Sequence, residues 1–425
     1  MSPHLLLIVG FSIFRCDAKI SCQVFERTAR FRRRAKDAPR NSLLTSSLVC
    51  CPPQTKTQSA TTRKSQRKCL RPFGIRADRT SASMRVEPAG ARQNMRDFSS
   101  FFEECEGAPR LNELSGFFAA TAAGQSGKPI REPQVDRRLL KGDDLLDSFV
   151  SLHERRRGPF DQHYHSSIPY RLEEECRLGC AILQYSQGMS ETLHLYSLGT
   201  AEGTMARTIS ELADGRVESL SCSPNIENQR SFLAYGDPPH ATFFVGPFHH
   251  LTPDKFHSRE NLAKFASGFD VIFEDTTFQM YSPNRRDQIG FVTQYLKDDG
   301  LFVSVEKFKH EDDEEYRRRE RQKDHGFKAR FFSHTDITAK EAAVLTVMNQ
   351  NEVTLDGMQA AITPYFRHGY ITWNSGNFYS LVASNSLPNI ERFISGLIEP
   401  AIPGEYVYGP LPRPLFSSIG GDPIL

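Results

Sequence analysis

Two glycines four residues apart, Gly199 and Gly203, stand in the stretch LYSLGTAEGTMA, where a β-rich apolar run passes directly into a helical pattern. At such a junction Gly199 lets a ligand approach bare backbone, and Gly203 lets the helix start pack closely. Backbone N–H groups exposed at a helix start receive a polar ligand. Thr200 and Ala201 lie between the glycines, so Gly199, Thr200, Ala201 and Gly203 form the candidate binding turn. The dinucleotide fingerprint GxGxxG is absent. Further chemistry-bearing residues fall at predicted strand ends: Asp275-Thr276-Thr277, and Glu306 with Lys307. Glu306 is read first as one half of an ion pair and second as a base. The histidines at 163, 165, 240, 249, 250 and 257 match no metal helix such as HExxH, so no metal is expected.

Positioning these residues takes an alternation of strands and helices. Strands are expected at Leu193–Leu198, Val217–Cys222, Thr242–Gly246, Phe269–Glu274 and Leu301–Phe308, with helices over Thr204–Ala213, Ile226–Ala234, Ser258–Phe265 and Asp287–Leu296. That rhythm predicts a mostly parallel sheet with helices on both faces. A charged run follows, EDDEEYRRRERQKDH over 311–325, read as a solvated helix with Glu314 and Arg318 one turn apart, or as an RNA-contacting patch at Arg317-Arg318-Arg319. Helical pattern returns over Ile337–Met348 and from Leu355 to Phe366. Strands at Tyr370–Asn374 and Phe378–Ser384 then flank the hairpin signal Ser375-Gly376-Asn377. The order reads as a leader (1–92), a linker and helical preface (93–159), one α/β domain (160–386) and a Pro-rich, irregular tail (387–425).

The chain has 425 residues and a formal net charge of +2. No apolar run reaches the ~18–20 residues of a membrane-spanning helix. Residues 1–92 hold 19 Lys/Arg and 5 Asp/Glu, a balance of +14 against −12 for the remainder. An Arg- and hydroxyl-rich leader of this kind reads as a targeting segment for a plastid or mitochondrion, with an upstream extension before Met84 or Met95 of a cytoplasmic chain as the alternative. The acidic remainder argues against bulk electrostatic capture of nucleic acid. Nine cysteines show no CxxC and no paired spacing, which argues against a zinc site or a disulfide framework.

The layout resembles class I S-adenosylmethionine-dependent methyltransferases, whose Rossmann-like seven-stranded sheet ends in an antiparallel hairpin. Within that superfamily the segments HLYSLGTAEGTMARTI, TTFQMYSPNRRDQ, LKDDGLFVSVEKF, ITAKEAAVLTVM and GYITWNSGNFYSLVAS are similar to carboxy-S-adenosylmethionine synthase of the wobble-uridine tRNA pathway. The resemblance implies S-adenosylmethionine as cofactor, held by Tyr170, Gly199, Thr200, Ala201, Gly203, Ser221, Cys222 and Glu274. Several of these depart from the family pattern. Ser197 stands where the first motif has its acid, Ser221-Cys222 replace Asp-Asn after the second strand, Gly246-Pro247 replace Gly-Asp, and Glu274 replaces Asn. Losing a ribose-binding carboxylate weakens binding about tenfold to a hundredfold, unless Glu274, Asp275 or Glu202 compensates.

The basic residue that binds the extra carboxylate in that family falls on Glu341, beside Lys340. A carboxylate there would repel a carboxymethyl group, so methyl transfer to a small molecule is expected before carboxyl transfer from prephenate. A non-catalytic methyltransferase-fold binding protein is the third reading. The expected partner is the small-molecule substrate; a homodimer stays open.

Overall fold

The runs Leu193–Leu198, Phe269–Glu274 and Leu301–Phe308 carry apolar residues at both parities, so each buries side chains on both sheet faces. The structure, a computed structural model, describes residues 97–417. The expected leader, residues 1–92, lies outside the described residues. β1 (Leu193–Leu198), β2 (Val217–Ser223), β3 (Ala241–Val245), β4 (Phe269–Asp275), β5 (Leu296–Lys307), β6 (His368–Ser375), β7 (Phe378–Ser384) and β8 (Arg413–Ser417) make one mixed sheet in the order β3-β2-β1-β4-β5-β7-β6-β8. β1 to β5 pair in parallel; β7 runs antiparallel to both β5 and β6.

The α/β architecture stands, but the sheet has eight strands rather than seven. The extra one comes from the tail read as irregular, where β8 pairs antiparallel with β6. Its one proline, Pro414, sits on an edge strand, where proline is tolerated. The tail also carries a helix, Leu387–Ser395. In place of the helix expected over 258–265 there is a short helix, Pro253–Ser258, and a 3₁₀ turn, Glu260–Phe265.

On one face Leu193, Leu195, Val271, Phe273, Leu301, Val303 and Val305 pack under the helices Asp144–Arg156, Arg171–Gln187 and Thr204–Ala213. On the other, Tyr196, Leu198, Ile272 and Phe302 meet Phe101 of the helix Ser99–Glu106 and Ile289, Phe291 and Val292 of the helix Arg285–Thr293. Preface residues such as Phe101 and Phe149 are buried in these two cores. Among the described residues no helix is long and apolar enough to cross a membrane.

The charged run forms the helix Asp313–Arg321. Glu315 pairs with Arg318 and Arg319, each at 2.7 Å. The helix is not simply solvated: Arg319 is buried and donates to the Tyr379 hydroxyl at 3.1 Å. The cysteines at 105, 176, 180 and 222 are buried and free.

Candidate functional site

In this strand order β1 and β4 are neighbours whose chains continue to opposite sides, so their carboxyl ends frame the crevice where open α/β sheets bind ligands. After β1 the chain turns through Gly199 at φ +69° and Gly203 at φ +67°. Both need to be glycine. A Cβ on Gly199 would lie 1.4 Å from Thr277 Oγ1, and one on Gly203 would lie 2.6 Å from Ser221 Oγ. After β4, Thr276 takes φ +49°, with its N–H bound to the Val305 carbonyl at 2.7 Å.

Buried charge fixes the β4 end. Arg171 donates to Asp275 at 2.6 Å and lies 3.4 Å from Glu175. Glu175 in turn holds His153 at 2.8 Å and His165 at 2.9 Å. Burial pushes His165 down to about 4. These two histidines and Glu175 lie close enough to hold a metal ion, as do Glu106, His249 and His250. Neither group shows a ligand spacing along the sequence, because each is assembled from separate elements. In each group the imidazoles hydrogen-bond the group's own carboxylate, Glu175 or Glu106.

Three small chambers lie at the crevice. One, of about 20 Å³, spans the β1 and β4 turns and is lined by Gly199, Thr200, Ala201, Asp275, Thr276 and Tyr164. A second, also about 20 Å³, reaches the end of β2 at Cys222, Ser223, Pro224 and Asn228. The third, about 80 Å³, lies toward β5 with Lys307, Gln279 and Tyr164. Phe160 and Met280 line all three and form a partition across one hollow. Phe118 stacks on Phe160 with ring centroids 6.0 Å apart.

The candidate residues divide between this hollow and other work. Gly199, Thr200, Ala201 and Cys222 line it. Tyr170, Gly203, Ser221 and Glu274 line none of the three chambers. Tyr170 packs edge-on against Tyr406, with centroids 5.2 Å apart, and against Phe327. Ser221 sits beneath Gly203 with its hydroxyl buried and unpartnered.

Glu274 accepts from Thr277 N at 2.6 Å and Ser304 Oγ at 2.7 Å, which locks the β4 turn from below. Burial first, and then Glu306, push its carboxyl well above the usual range. Glu306 is held by Arg285 at 3.2 Å, the ion-pair alternative rather than a base at the hollow. Glu202 accepts from the N–H groups of Gly158, Phe160 and Asp161 at 3.0–3.2 Å and caps the helix Pro159–His165. Neither Glu202 nor Glu274 is free to replace the missing ribose acid.

Other residues offer themselves. Asn228 Oδ1 and Gln279 Oε1 are buried without partners and belong to chamber-lining side chains. Arg110, a preface residue, lines the β2-end chamber with its guanidinium 4.1 Å over the Phe118 ring. Tyr164 donates to Asp275 at 2.5 Å and stands between two chambers. Burial raises its phenol well above the usual range, so it stays protonated. The family motifs carried no sign of Arg110, Tyr164, Asn228 or Gln279, because helix packing brings them in. Glu341 is exposed and lines none of these chambers, whereas Lys340 lines the largest of the three. The expected repulsion at Glu341 is therefore removed.

An adenosyl sulfonium fits the polar groups here better than it fits the space. Unpartnered acceptors at Asn228 and Gln279 suit ribose hydroxyls and a cationic centre, whereas the Thr277 side chain already packs over the Gly199 turn. The chambers fall well short of the ~300 Å³ at which ligand pockets begin, so the Phe118–Phe160–Met280 wall has to part.

No protein-family model and no curated protein matches the chain. Among solved structures, it is similar to the plantazolicin methyltransferase BpumL in complex with SAH, at 13% identity and TM-score 0.36 over 57% of this chain and 97% of that one. It is also similar to BamL with a triazolic desmethylPZN analog and SAH, at 11% identity and TM-score 0.36, over 57% and 98% of the two chains. Each is a distant likeness over part of the chain.

Proposed function

We propose that this chain is an S-adenosylmethionine-dependent methyltransferase acting on a small molecule. The observation that carries the reading is the hollow at the β1/β4 switch point, lined by Gly199, Ala201, Thr276 and Thr277, where Asn228 and Gln279 keep unpartnered acceptors. Gly199, Ala201, Ser223 and Asn228 would hold the adenosine, and Gln279 the cationic end. When bound, the cofactor supplies an electrophilic methyl group on sulfur.

The chain's own contribution is placement and exclusion of water. Phe160, Phe118 and Met280 close over the hollow and keep the reacting centre dry. Tyr164, held by Asp275 and Thr276 at 2.5 and 3.0 Å, fixes the boundary between the donor side and the chamber toward β5. A positioned pair of reactants gains most from such a boundary, because the entropy of alignment is met before the reaction.

Calorimetric titration with S-adenosylmethionine tests the reading. Saturable binding is expected for the natural chain and its loss in Ala201→Leu, whose longer side chain fills two of the chambers. A folded protein that takes up no cofactor, or an Ala201→Leu variant that binds as well, would leave only the scaffold.

A further inference from the structure

Beyond the Phe160–Met280 partition, four lysines far apart in sequence converge. Lys307 ends β5, Lys323 and Lys328 follow the Asp313–Arg321 helix, and Lys340 ends the helix His334–Lys340; all four line the 80 Å³ chamber with His163 and Ser167. Lys323 lies in the π-helical segment Gln322–Phe327, Lys328 directly follows it, and Lys340 directly precedes a second, Glu341–Leu345. Such turns are rare and concentrate at functional sites. A larger chamber of about 310 Å³ adjoins and shares Phe117, His163, Ser167, Lys328, Lys340 and Val344 with the first.

The charges here do not cancel in the ordinary way. Lys307 meets Glu352 at 2.7 Å and Glu320 at 3.0 Å, Lys323 also pairs with Glu320, and Lys328 meets Asp324 at 2.8 Å. Three lysines thus share three carboxylates. Lys340 has no carboxylate within ion-pair reach among the described residues. Its Nζ lies 2.5 Å from His163 Nε2 and 3.1 Å from Ser167 Oγ.

His163 Nδ1 lies 2.6 Å from the Gly127 carbonyl, which only accepts, so Nδ1 carries the ring proton and Nε2 offers its lone pair. A hydrogen bond between Nζ and Nε2 requires one of them to lack a proton, so the pair holds at most one positive charge. Burial, then Lys328 and Lys323, push Lys340 well below its ordinary range. Burial, then Lys340, push His163 down, and burial brings Lys328 to about 8. Asp336 and Lys128 complete the charged lining of the larger chamber.

We propose that the two chambers bind a phosphate monoester, its dianionic head received by Lys340, Lys328 and His163 and its carbon body by Phe117, Phe332, Ile337 and Val344. This deepens the methyl-transfer reading, on which it rests only in naming that ligand the acceptor. A dianion breaks the Nζ–Nε2 contact and lets both nitrogens carry charge, so two positive charges meet two negative ones. Three converging nitrogens also suit the three peripheral oxygens of a phosphate better than the two of a carboxylate. Lysine serves such sites as a point charge. Binding therefore takes up a proton.

The probe is phenyl phosphate, titrated calorimetrically into the full chain without nucleotide, at mildly alkaline pH, in two buffers of different ionisation enthalpy. Saturable binding with uptake of about one proton is expected, with benzoate binding more weakly. Lys340→Met orphans no carboxylate, so it should stay folded by thermal melting while binding falls at least about tenfold. No saturable binding, undiminished binding by Lys340→Met, benzoate binding more tightly, or no proton uptake by the natural chain each overturns the proposal. Phenyl phosphate binding without S-adenosylmethionine binding removes the methyl-transfer reading and leaves this site standing; the reverse removes this site alone.

Discussion

Phe118 and Phe160 stack at 21° between ring planes, although one belongs to the helix Ser115–Ala122 of the preface and the other to the helix Pro159–His165. Their contact closes the crevice that the Gly199 turn opens. Both rings are buried, and Met280 packs against the same cluster.

Removing one ring should therefore ease ligand entry and weaken the fold together. Phe160→Ala is expected to lower stability by about 3–5 kcal/mol. It should tighten S-adenosylmethionine binding several-fold, because less wall has to part. Thermal melting and calorimetry on the same variant check both effects; loss of stability with unchanged affinity would show that the wall is not the barrier.

Glu274 gives a test at the floor of the site. Burial and Glu306 hold its carboxyl protonated, and its oxygens accept from Thr277 N, Phe278 N and Ser304 Oγ. Glu274→Gln keeps an acceptor and adds no charge, so it should cost under about 1.5 kcal/mol, whereas Glu274→Ala strands three donors and should cost about 3 kcal/mol or more. Denaturant melts of the two variants decide; equal losses would mean that the acceptor is unimportant.

Glu173 predicts a pH dependence. Its side chain accepts from Asp136 N at 2.8 Å, yet burial pushes its carboxyl up from 4.5 to about 7. The folded state then holds a proton that the unfolded chain releases, so this contribution is complete below 4.5 and is lost as pH rises through 7. Glu173→Gln removes the dependence. It should stabilise by roughly 2–3 kcal/mol at pH about 8 and by little at pH about 4. Equal shifts at both pH values would contradict the assignment.

Particular residues show what the sequence made legible. The runs Leu193–Leu198 and Phe269–Glu274 announced β1 and β4 almost to the residue, since buried parallel strands are rich in apolar residues on both faces. Gly199 was legible for the same reason, lying where one such run stops. Arg110, Phe118 and Tyr164 were not, because they reach the hollow by packing between helices and leave no periodic trace at Gly199. Glu202 and Glu274 looked free by type, but a helix cap and a turn had already taken their oxygens. Lys323 stood in the charged run read as a solvated helix and Lys340 was noted only beside Glu341; packing that leaves no sequence pattern brings both to one chamber with Lys328.

The central claim is that S-adenosylmethionine lies on the turn after β1, against the turn after β4. Hydrogen–deuterium exchange of the full chain with and without this compound tests it most directly. Slowed exchange is expected over residues 199–204 and 276–280, with faster exchange in 115–122 as the cover lifts. Unchanged exchange at both turns under saturating compound, or protection confined to other strands, would contradict it.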